Sequence, residues 1–250
     1  MKPGTEKDRL DVTVLLPCYN EEEALPSVIS EIRSAMDATK YSYEILLSDD
    51  HSSDKSAAIA ENSGCRVILS PSKRGSGSAR KKGIIAAKGE LIVMMDADGS
   101  YTASDIPKML EYFPAYEQVN GARTSEKGEY AFLRGPAKWF IRMLASLLSW
   151  HKIPDLNTGL KAFRRDTMLQ YLWAIPDGFS CVSSMTLAYL CNGRSVKYIP
   201  TESRKRIGKS KFHPFFDTLS YIITVFRLIL YFGPLKIKKC PQENENINKK

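Results

Sequence analysis

The sequence predicts an α/β fold in which helices flank a mostly parallel β-sheet. Through the first half of the chain, short apolar segments alternate with segments whose apolar residues recur at helical spacing. The short segments are apolar on both faces, which is typical of parallel strands covered by crossover helices on each side. With 250 residues, the chain is long enough to bury a sizeable core around such a sheet.

The elements of the first half can be assigned in order. The segment VTVLLP predicts a strand, and apolar residues at i, i+3, i+4 and i+7 from Leu25 then predict a helix with one buried stripe. YEILLSDD predicts the second strand, and the serines and aspartates of HSSDKSAAIAEN can cap the helix that follows. CRVILS predicts the third strand. A basic loop with glycine, a helix reaching about Lys88 and the strand ELIVMMDAD complete the alternation.

The second half is less regular. GLKAFRR and RSVKYIP predict strands, and residues 130–150 have apolar side chains at helical spacing. The most apolar segment, residues 215–232, is interrupted by Asp217 and Arg227. A standard transmembrane helix needs about 20 predominantly apolar residues, so we expect none here.

Three regions are predicted along the chain. An α/β domain is expected over residues 10–200, and a basic loop with amphipathic helices suited to a membrane interface over residues 201–237. The last region, residues 238–250, is expected to be a disordered polar tail.

Composition and charge narrow the possible partners. The formal net charge of +8 predicts an anionic partner, such as phosphates, nucleic acid or an acidic membrane surface. The five cysteines and three histidines are scattered without zinc-ligand spacing, so we expect reduced thiols and no histidine-built metal site. The first residues, MKPGTEKDRLD, lack the apolar core of a signal peptide. These features favour a cytoplasmic protein.

Polar residues end three of the predicted strands: PCYNE, SDD and DAD. In open α/β sheets, ligands gather outside the carboxyl ends of the strands. The pair Asp96 and Asp98 is the most informative, because two close carboxylates repel unless a cation or a shared proton lies between them. Magnesium commonly uses one or two carboxylates together with substrate phosphates. The pair therefore predicts Mg²⁺ or Mn²⁺ beside a diphosphate; the alternative is a capping turn, since Asp, Gly and Ser also favour turns.

Six short motifs, taken in order, resemble a known family. They are LLPCYNEEEALP, ILLSDDHSSDKS, VMMDADGS, GAR, DLNTGLKAFRR and RKRIGKSK, within residues 11–237. Each motif is weakly specific, but together they resemble family 2 glycosyltransferases with the GT-A Rossmann-like fold. Within that family the chain is most similar to the polyprenyl-phosphate branch, which includes dolichol-phosphate mannose synthase-like enzymes.

The resemblance implies roles for individual residues. Asp96 and Asp98 match the metal-binding, catalytic DxD motif, with Asp98 favoured as the direct ligand. Asp50 matches the aspartate that contacts the base of the nucleotide. Arg123 in GAR and the basic RKRIGKSK loop match residues that engage acceptor and donor phosphates. The loop that borders the nucleotide contains Pro17, Tyr19, Asn20 and Glu21.

Some positions depart from the family pattern. His51 occupies the place of the usual glycine after the second-strand aspartates, and Ser100 stands where dolichol-type enzymes often carry a glutamine. In the basic loop the arginine lies two residues before Gly208, where many relatives place it three before. We therefore favour Arg206 as the catalytic residue of this loop, with Lys205 as the alternative.

Charge suggests how the substrates are held. A divalent cation acting as a Lewis acid would stabilise the leaving diphosphate, helped by Arg206 and by the nucleotide-sugar-binding residues Lys209 and Lys211. An acceptor phosphate is largely dianionic at neutral pH and needs cations rather than a general base. The residues expected to bind the acceptor phosphate are Arg123, Arg134, Lys138, Lys161 and Arg164.

Asp155 in DLNTGLKAF has two possible roles that the sequence leaves open. It orients a basic residue, or it acts as a general base towards an alcohol acceptor.

The function expected from these observations is that of an inverting glycosyltransferase. It would move a hexose from a UDP- or GDP-sugar to a polyprenyl phosphate at the cytoplasmic membrane face, in the synthesis of cell-envelope glycans. The expected partners are both substrates and the membrane surface, with a homo-oligomer possible and no nucleic acid. The alternatives are a transferase that acts on a hydroxyl of a glycan and a non-catalytic membrane-surface scaffold that retains the fold.

Overall fold

The computed structural model describes residues 10–123, 143, 145–146, 151–208 and 214–232. Its strands are β1 (Leu10–Cys18), β2 (Tyr43–Asp49), β3 (Arg66–Leu69), β4 (Gly89–Met94), β5 (Gln118–Arg123), β6 (Lys161–Arg164) and β7 (Val196–Thr201). Its helices are α1 (Leu25–Asp37), α2 (Ser56–Asn62), α3 (Ser76–Ala86), α4 (Ile106–Leu110), α5 (Arg165–Leu169), α6 (Cys181–Cys191) and α7 (Pro214–Phe232). Short 3₁₀ turns occupy Ala103–Asp105 and Leu172–Ala174.

The strands form one seven-stranded sheet in the order β3-β2-β1-β4-β6-β5-β7. The pairs β2–β3, β1–β2, β1–β4 and β5–β7 are parallel, whereas β6 runs antiparallel to both of its neighbours, β4 and β5. The predicted α/β class with a mostly parallel sheet is therefore confirmed. The reversed direction of β6 was not predicted.

This topology brings distant parts of the chain to one edge of the sheet. Strands β1, β2, β4, β5 and β7 all end there, and β6 begins there because it runs the opposite way. The order of the strands reverses between β1 and β4, since β2 and β3 lie on one side of β1 and β4 on the other. Such a switch point is where open α/β sheets form their ligand-binding crevice.

Helices cover both faces of the sheet. On one face α1 buries the predicted stripe, including Leu25, Val28 and Ile32, against strand residues such as Val14. On the other face Leu15 packs in a cluster with side chains of α3 and α6. Burial of a large aliphatic side chain contributes about 1.5–3 kcal/mol, so both faces of β1 stabilise the sheet.

A buried polar network explains why β5 and α6 were not predicted from the sequence. Gln118 and Asn120 of β5 are fully buried, and both amide groups donate to the hydroxyl of Thr186 on α6. The amide of Gln118 also donates to the side-chain oxygen of Asn120, at 2.8 Å. Polar residues inside a core interrupt the apolar pattern on which strand prediction depends.

The last described helix, α7, packs on the second half of the domain. Tyr221 and Leu228 are buried in a cluster with Leu187 and Leu190 of α6. Its opposite side exposes apolar side chains at helical spacing: Leu219, Ile223, Phe226 and Leu230. Among the described helices, none combines the length and apolarity needed to cross a bilayer.

Candidate active site

A cleft of about 220 Å³ opens at the switch point between β1 and β4. Because β1, β2 and β4 end at this edge, the cleft collects the residues that follow them. The residues predicted from the sequence that line it are Pro17, Tyr19, Glu21, Asp50, Asp96, Asp98 and Arg206. Other lining residues were not predicted from the sequence, among them Lys73, Arg80, Asn157, Phe179 and Tyr221.

The loop after β1 is fixed to the loop after β2. The backbone amide of Asn20 donates to the hydroxyl of Ser52, and the carboxamide oxygen of Asn20 accepts from the backbone amide of Ser53 at 2.8 Å. Asn20 is not one of the residues that line the cleft. Its side chain shapes the loop that presents Tyr19 and Glu21, and a direct contact of Asn20 with the nucleotide stays a prediction.

His51 adopts the backbone conformation that its place in the motif requires. Its φ of 68° lies in the left-handed region, where glycine is favoured and histidine is tolerated better than most residues. The ring contacts the carbonyl of Ser70, 3.3 Å from Nδ1. The departure from glycine therefore leaves the turn after Asp50 intact.

Asp50 connects the end of β2 to the loop before α3. Its buried carboxylate accepts hydrogen bonds from the backbone amides of Arg74 and Gly75, at 3.0 and 2.6 Å. A carboxylate has about four lone-pair sites, so Asp50 keeps acceptor capacity towards the cleft. Beside it, the ammonium of Lys73 lies 3.9 Å from the centroid of the Tyr19 ring, a cation–π contact.

The two DxD carboxylates lie in the loop that follows β4, and each is paired with an arginine. Asp96 Oδ1 lies 2.5 Å from Nη2 of Arg80, and Asp98 forms an ion pair with Arg206. Burial raises the pKa of the Asp96 carboxyl, although Arg80 opposes this effect. The backbone of Asp98 accepts from the amide of Ile207 at 2.9 Å, which fixes the basic loop to the DxD turn.

Gly159 allows Asp96 to occupy its position. The residue lies in the segment before β6, directly against the Asp96 carboxylate, and a β-carbon at Gly159 would overlap the carboxylate oxygens. The backbone amide of Gly159 donates to the hydroxyl of Tyr101 at 2.7 Å, which holds the segment in place. Glycine is therefore required by this close approach rather than by its dihedral angles.

Asp155 is paired with Arg123 and does not line the cleft. Asp155 Oδ2 lies 2.7 Å from Nε of Arg123, and Oδ1 lies 3.0 Å from Nη2. Burial alone would raise the pKa of Asp155, but the hydrogen bonds and charge of Arg123 bring it below its ordinary value. Of the two roles left open by the sequence, this geometry favours orientation of a basic residue.

Two predicted acceptor residues lie away from the cleft. Lys161 is fully buried, and its ammonium contacts Thr186 Oγ1 at 2.7 Å and Asn120 Oδ1 at 3.3 Å. Arg164 pairs with Glu90 at 3.0 Å, and its register partner is Leu91 near the start of β4. Arg164 therefore lies towards the opposite edge of the sheet from Asp96. The structure therefore does not bring Lys161 or Arg164 to the cleft, and their binding of the acceptor phosphate stays a prediction.

Four further predicted residues lie outside the described part of the chain: Arg134, Lys138, Lys209 and Lys211.

The buried lysine is expected to make stability depend on pH. Burial lowers the pKa of Lys161 to about 7, whereas the pKa of an unfolded lysine is about 10.4. Between these values the unfolded state binds more protons, so the free energy of unfolding rises with pH, by up to about 1.4 kcal/mol per pH unit. Below the folded pKa both states are protonated, and this contribution to the slope disappears.

Denaturant titrations at several pH values measure this effect, with Lys161→Met as the comparison. The stability gained by the wild type above neutral pH should be reduced or absent in the variant. Parallel stability curves for the two proteins would contradict the assignment.

The fold and the cleft together define a class of protein. A seven-stranded mixed sheet flanked by helices, with paired carboxylates at its switch point, is the GT-A architecture of glycosyltransferases. The chain belongs to glycosyl transferase family 2, whose model matches residues 13–172. The match begins in β1 and ends beyond β6, so it includes the DxD turn and the segment of Asp155.

Relatives of known sequence agree with this assignment. The chain is 34% identical to an uncharacterised glycosyltransferase of Mycobacterium tuberculosis over 165 residues, which cover 63% of this chain and 69% of that protein. It is 28% identical to a dolichyl-phosphate hexose transferase of Haloferax volcanii, over 82% of this chain and 88% of the relative. These names confirm the predicted resemblance to the polyprenyl-phosphate branch.

Solved structures match the fold. The mannosyl-3-phosphoglycerate synthase of Rubrobacter xylanophilus superposes with a TM-score of 0.71 at 18% identity, covering 90% of this chain and 76% of that one. The glucosyl-3-phosphoglycerate synthase of Mycobacterium tuberculosis, solved with Mn²⁺, UDP and glucosyl-3-phosphoglycerate, gives 0.67 at 19% identity, covering 91% and 85%. At these identities the likeness establishes the fold.

Proposed function

We propose that this glycosyltransferase is a metal-dependent inverting enzyme that moves a hexose from a UDP- or GDP-sugar to a polyprenyl phosphate at the cytoplasmic face of a membrane. The observation that carries the proposal is the arrangement of Asp96 and Asp98 in the cleft, each beside an arginine. When all four groups are ionised, the two carboxylates and the two guanidinium groups carry no net charge together. A divalent cation bound beside them would therefore balance the two negative charges of the diphosphate.

The donor atoms in the cleft fit such a cation. Asp96 and Asp98 offer hard carboxylate oxygens, the ligands that Mg²⁺ and Mn²⁺ prefer. Among the described residues, no cluster of three or more acidic, cysteine or histidine side chains forms a complete protein cage for a metal. This suits a metal that shares its coordination with substrate phosphates. The metal would act as a Lewis acid on the leaving diphosphate.

The nucleotide is assigned to the side of the cleft formed by β1 and β2. Tyr19 provides an aromatic face, and Asp50 provides an acceptor for an N–H group of the base. Uracil and guanine both carry a ring N–H beside a carbonyl, so these residues fit both expected donors. Mycobacterium tuberculosis glucosyl-3-phosphoglycerate synthase, which shares the fold, has been solved with UDP-glucose and Mn²⁺.

Arg206 and Arg123 are proposed to bind the reacting phosphates. Arg206 lines the cleft, and Arg123 ends β5 at the same edge of the sheet, where Asp155 orients its guanidinium. In the reaction, an oxygen of the acceptor phosphate forms a bond to the anomeric carbon as the bond from that carbon to the diphosphate breaks. Because the acceptor is already anionic, no residue has to remove a proton from it.

Helix α7 supports a lipid-linked acceptor. Its Tyr221 lines the cleft, while Leu219, Ile223, Phe226 and Leu230 form an exposed apolar stripe on the same helix. An amphipathic helix of this kind can lie in a membrane interface with its apolar side in the lipid. The active site would then lie near the headgroup of a polyprenyl phosphate.

The names of two relatives agree with this acceptor. The Haloferax volcanii protein is a dolichyl-phosphate hexose transferase. A relative from Aeromonas hydrophila is an undecaprenyl-phosphate 4-deoxy-4-formamido-L-arabinose transferase, 30% identical over 63% of this chain and 51% of its own length. Both names combine a polyprenyl phosphate with a sugar transferase.

The direct test is transfer of labelled sugar. Purified protein, Mn²⁺ and vesicles containing undecaprenyl phosphate are incubated with labelled UDP- and GDP-hexoses in turn. The proposal predicts label in the lipid fraction with one donor, and none when EDTA is added. Label recovered only as free sugar or as a water-soluble glycan would contradict the proposed acceptor.

Membrane contact through α7 can be tested separately from sugar transfer. Exchanging Ile223 for glutamate should weaken binding to anionic phospholipid vesicles by about tenfold to a hundredfold, because burial of an isoleucine side chain in lipid is worth about 1.5–3 kcal/mol. Ile85 on α3 provides a matched control, since both side chains are 56% exposed. Vesicle sedimentation should show weakened binding for Ile223→Glu and wild-type binding for Ile85→Glu. Equal binding of both variants would remove α7 as the contact.

A further inference from the structure

Some of the residues that line the cleft differ chemically from those of the nucleotide side. They are Phe179, Val182 and Tyr221, together with Asn157. The hydroxyl of Tyr221 donates to the carbonyl of Phe179 at 2.8 Å, which fixes the two aromatic residues relative to each other. This region therefore combines an apolar wall with a neutral polar group.

Asn157 is brought to the cleft by the same segment that places Gly159 against Asp96. The backbone amide of Asn157 donates to Oδ1 of Asp155 at 3.0 Å, so the Arg123–Asp155 pair also sets the turn. Two residues later, Gly159 contacts the Asp96 carboxylate. The position of Asn157 is thereby tied to that of the DxD motif.

The orientation of the Asn157 side chain is set by a buried serine. Ser183 of α6 is fully buried, and its hydroxyl donates to Asn157 Oδ1 at 2.8 Å. With the amide oxygen engaged, Nδ2 is the group left for a ligand. Nδ2 has no hydrogen-bond partner within the described ranges.

A neutral amide donor suits a sugar hydroxyl better than it suits a phosphate, for which charged donors give stronger hydrogen bonds. In a nucleotide sugar, the hexose follows directly after the diphosphate. With the base near Asp50 and the diphosphate near Asp98, the hexose would reach the region of Asn157. The apolar wall can cover the C–H face of the ring, while one polar group fixes its orientation.

We propose that Asn157 determines sugar specificity by donating a hydrogen bond from Nδ2 to a hydroxyl of the transferred hexose, and that Ser183 is the positioning residue that fixes its amide. This inference rests on the proposed function. The inference adds to that function a residue that selects among hexoses linked to the same nucleotide.

The test compares discrimination between epimers with binding of the nucleotide alone. For the full-length wild type, Asn157→Ala and Ser183→Ala, kcat/KM is measured with UDP-glucose and UDP-galactose, and with GDP-mannose and GDP-glucose. Calorimetry with Mn²⁺ gives the affinity for UDP and GDP. The exposed Asn62 on α2, changed to alanine, is the matched control.

Asn157→Ala should lower the preference for the favoured epimer about tenfold, the effect of one hydrogen bond, while the nucleotide affinity stays at the wild-type value. Ser183→Ala should shift the preference in the same direction but less, and it serves as the second variant if Asn157→Ala does not fold. An unchanged preference in a folded Asn157→Ala protein would overturn this inference but not the proposed function. A loss of affinity for UDP or GDP as large as the loss of preference would do the same. A wild type that binds no nucleotide sugar would overturn the proposed function as well.

Discussion

Replacing Asp98 by alanine is expected to reduce sugar transfer by on the order of a thousandfold, which corresponds to about 4 kcal/mol of transition-state stabilisation. Asp98 is buried and paired with Arg206, so its removal eliminates a proposed metal ligand and leaves the arginine without this partner. The loss should appear in kcat, because the metal acts on the charge that develops as the diphosphate leaves. Initial rates of transfer at saturating Mn²⁺ measure it.

Two comparisons separate the metal from general damage to the fold. Asp98→Asn keeps the size of the side chain but removes its charge, and it should be almost as inactive as the alanine variant. Asp166→Ala changes an exposed aspartate on α5 and should retain wild-type turnover. Full activity of Asp98→Ala would contradict the assigned role.

Replacing Gly159 by alanine is expected to cost on the order of a hundredfold in kcat. A methyl group at this position would overlap the Asp96 carboxylate, so the carboxylate or the 155–159 segment has to move. A displacement of about 1 Å at a catalytic site can have an effect of this size. The metal affinity should fall with the rate, since Asp96 is a proposed ligand. Rates and Mn²⁺ binding by calorimetry check both effects.

Gly178 provides a matched control for this exchange. A β-carbon at Gly178 would have no atom within 4 Å, although the residue adjoins Phe179 of the cleft. Neither glycine has a positive φ, so alanine introduces no backbone strain at either position. Gly178→Ala should therefore behave as the wild type. Similar losses in the two variants would show that the contact with Asp96 is not the cause.

Three of the strands that the sequence predicted, β1, β2 and β4, bury apolar residues on both faces of the sheet. In β1, for example, Val14 and Leu15 pack on opposite faces of the sheet. Strand β5 was missed because Gln118 and Asn120 are polar although they are buried. Their hydrogen bonds with Thr186, on a helix distant in sequence, exist only once the fold has formed. The antiparallel direction of β6 likewise depends on tertiary pairing rather than on local pattern.

The residues of the candidate site also divide into those that local sequence predicts and those that only the folded structure brings to the cleft. Residues that directly follow a strand, such as Asp50, Asp96 and Asp98, were predicted because sheet topology brings strand ends together. Arg80 and Asn157 were missed because nothing local marks a helical arginine or a loop asparagine as facing a cleft. Lys161 and Arg164 were predicted as acceptor residues from their positive charge, because the sequence does not show the partners that hold their side chains away from the cleft.

Calorimetric binding of UDP and GDP to the wild type, with Mn²⁺ and with EDTA, decides whether the cleft needs a cation to hold the nucleotide. The claim is that Asp96 and Asp98 bind a divalent cation that holds the diphosphate. It predicts that one nucleotide binds in the presence of Mn²⁺, that EDTA abolishes this binding, and that Asp98→Ala binds weakly in both conditions. Equal affinity of the wild type with and without the cation, unchanged in Asp98→Ala, would contradict it.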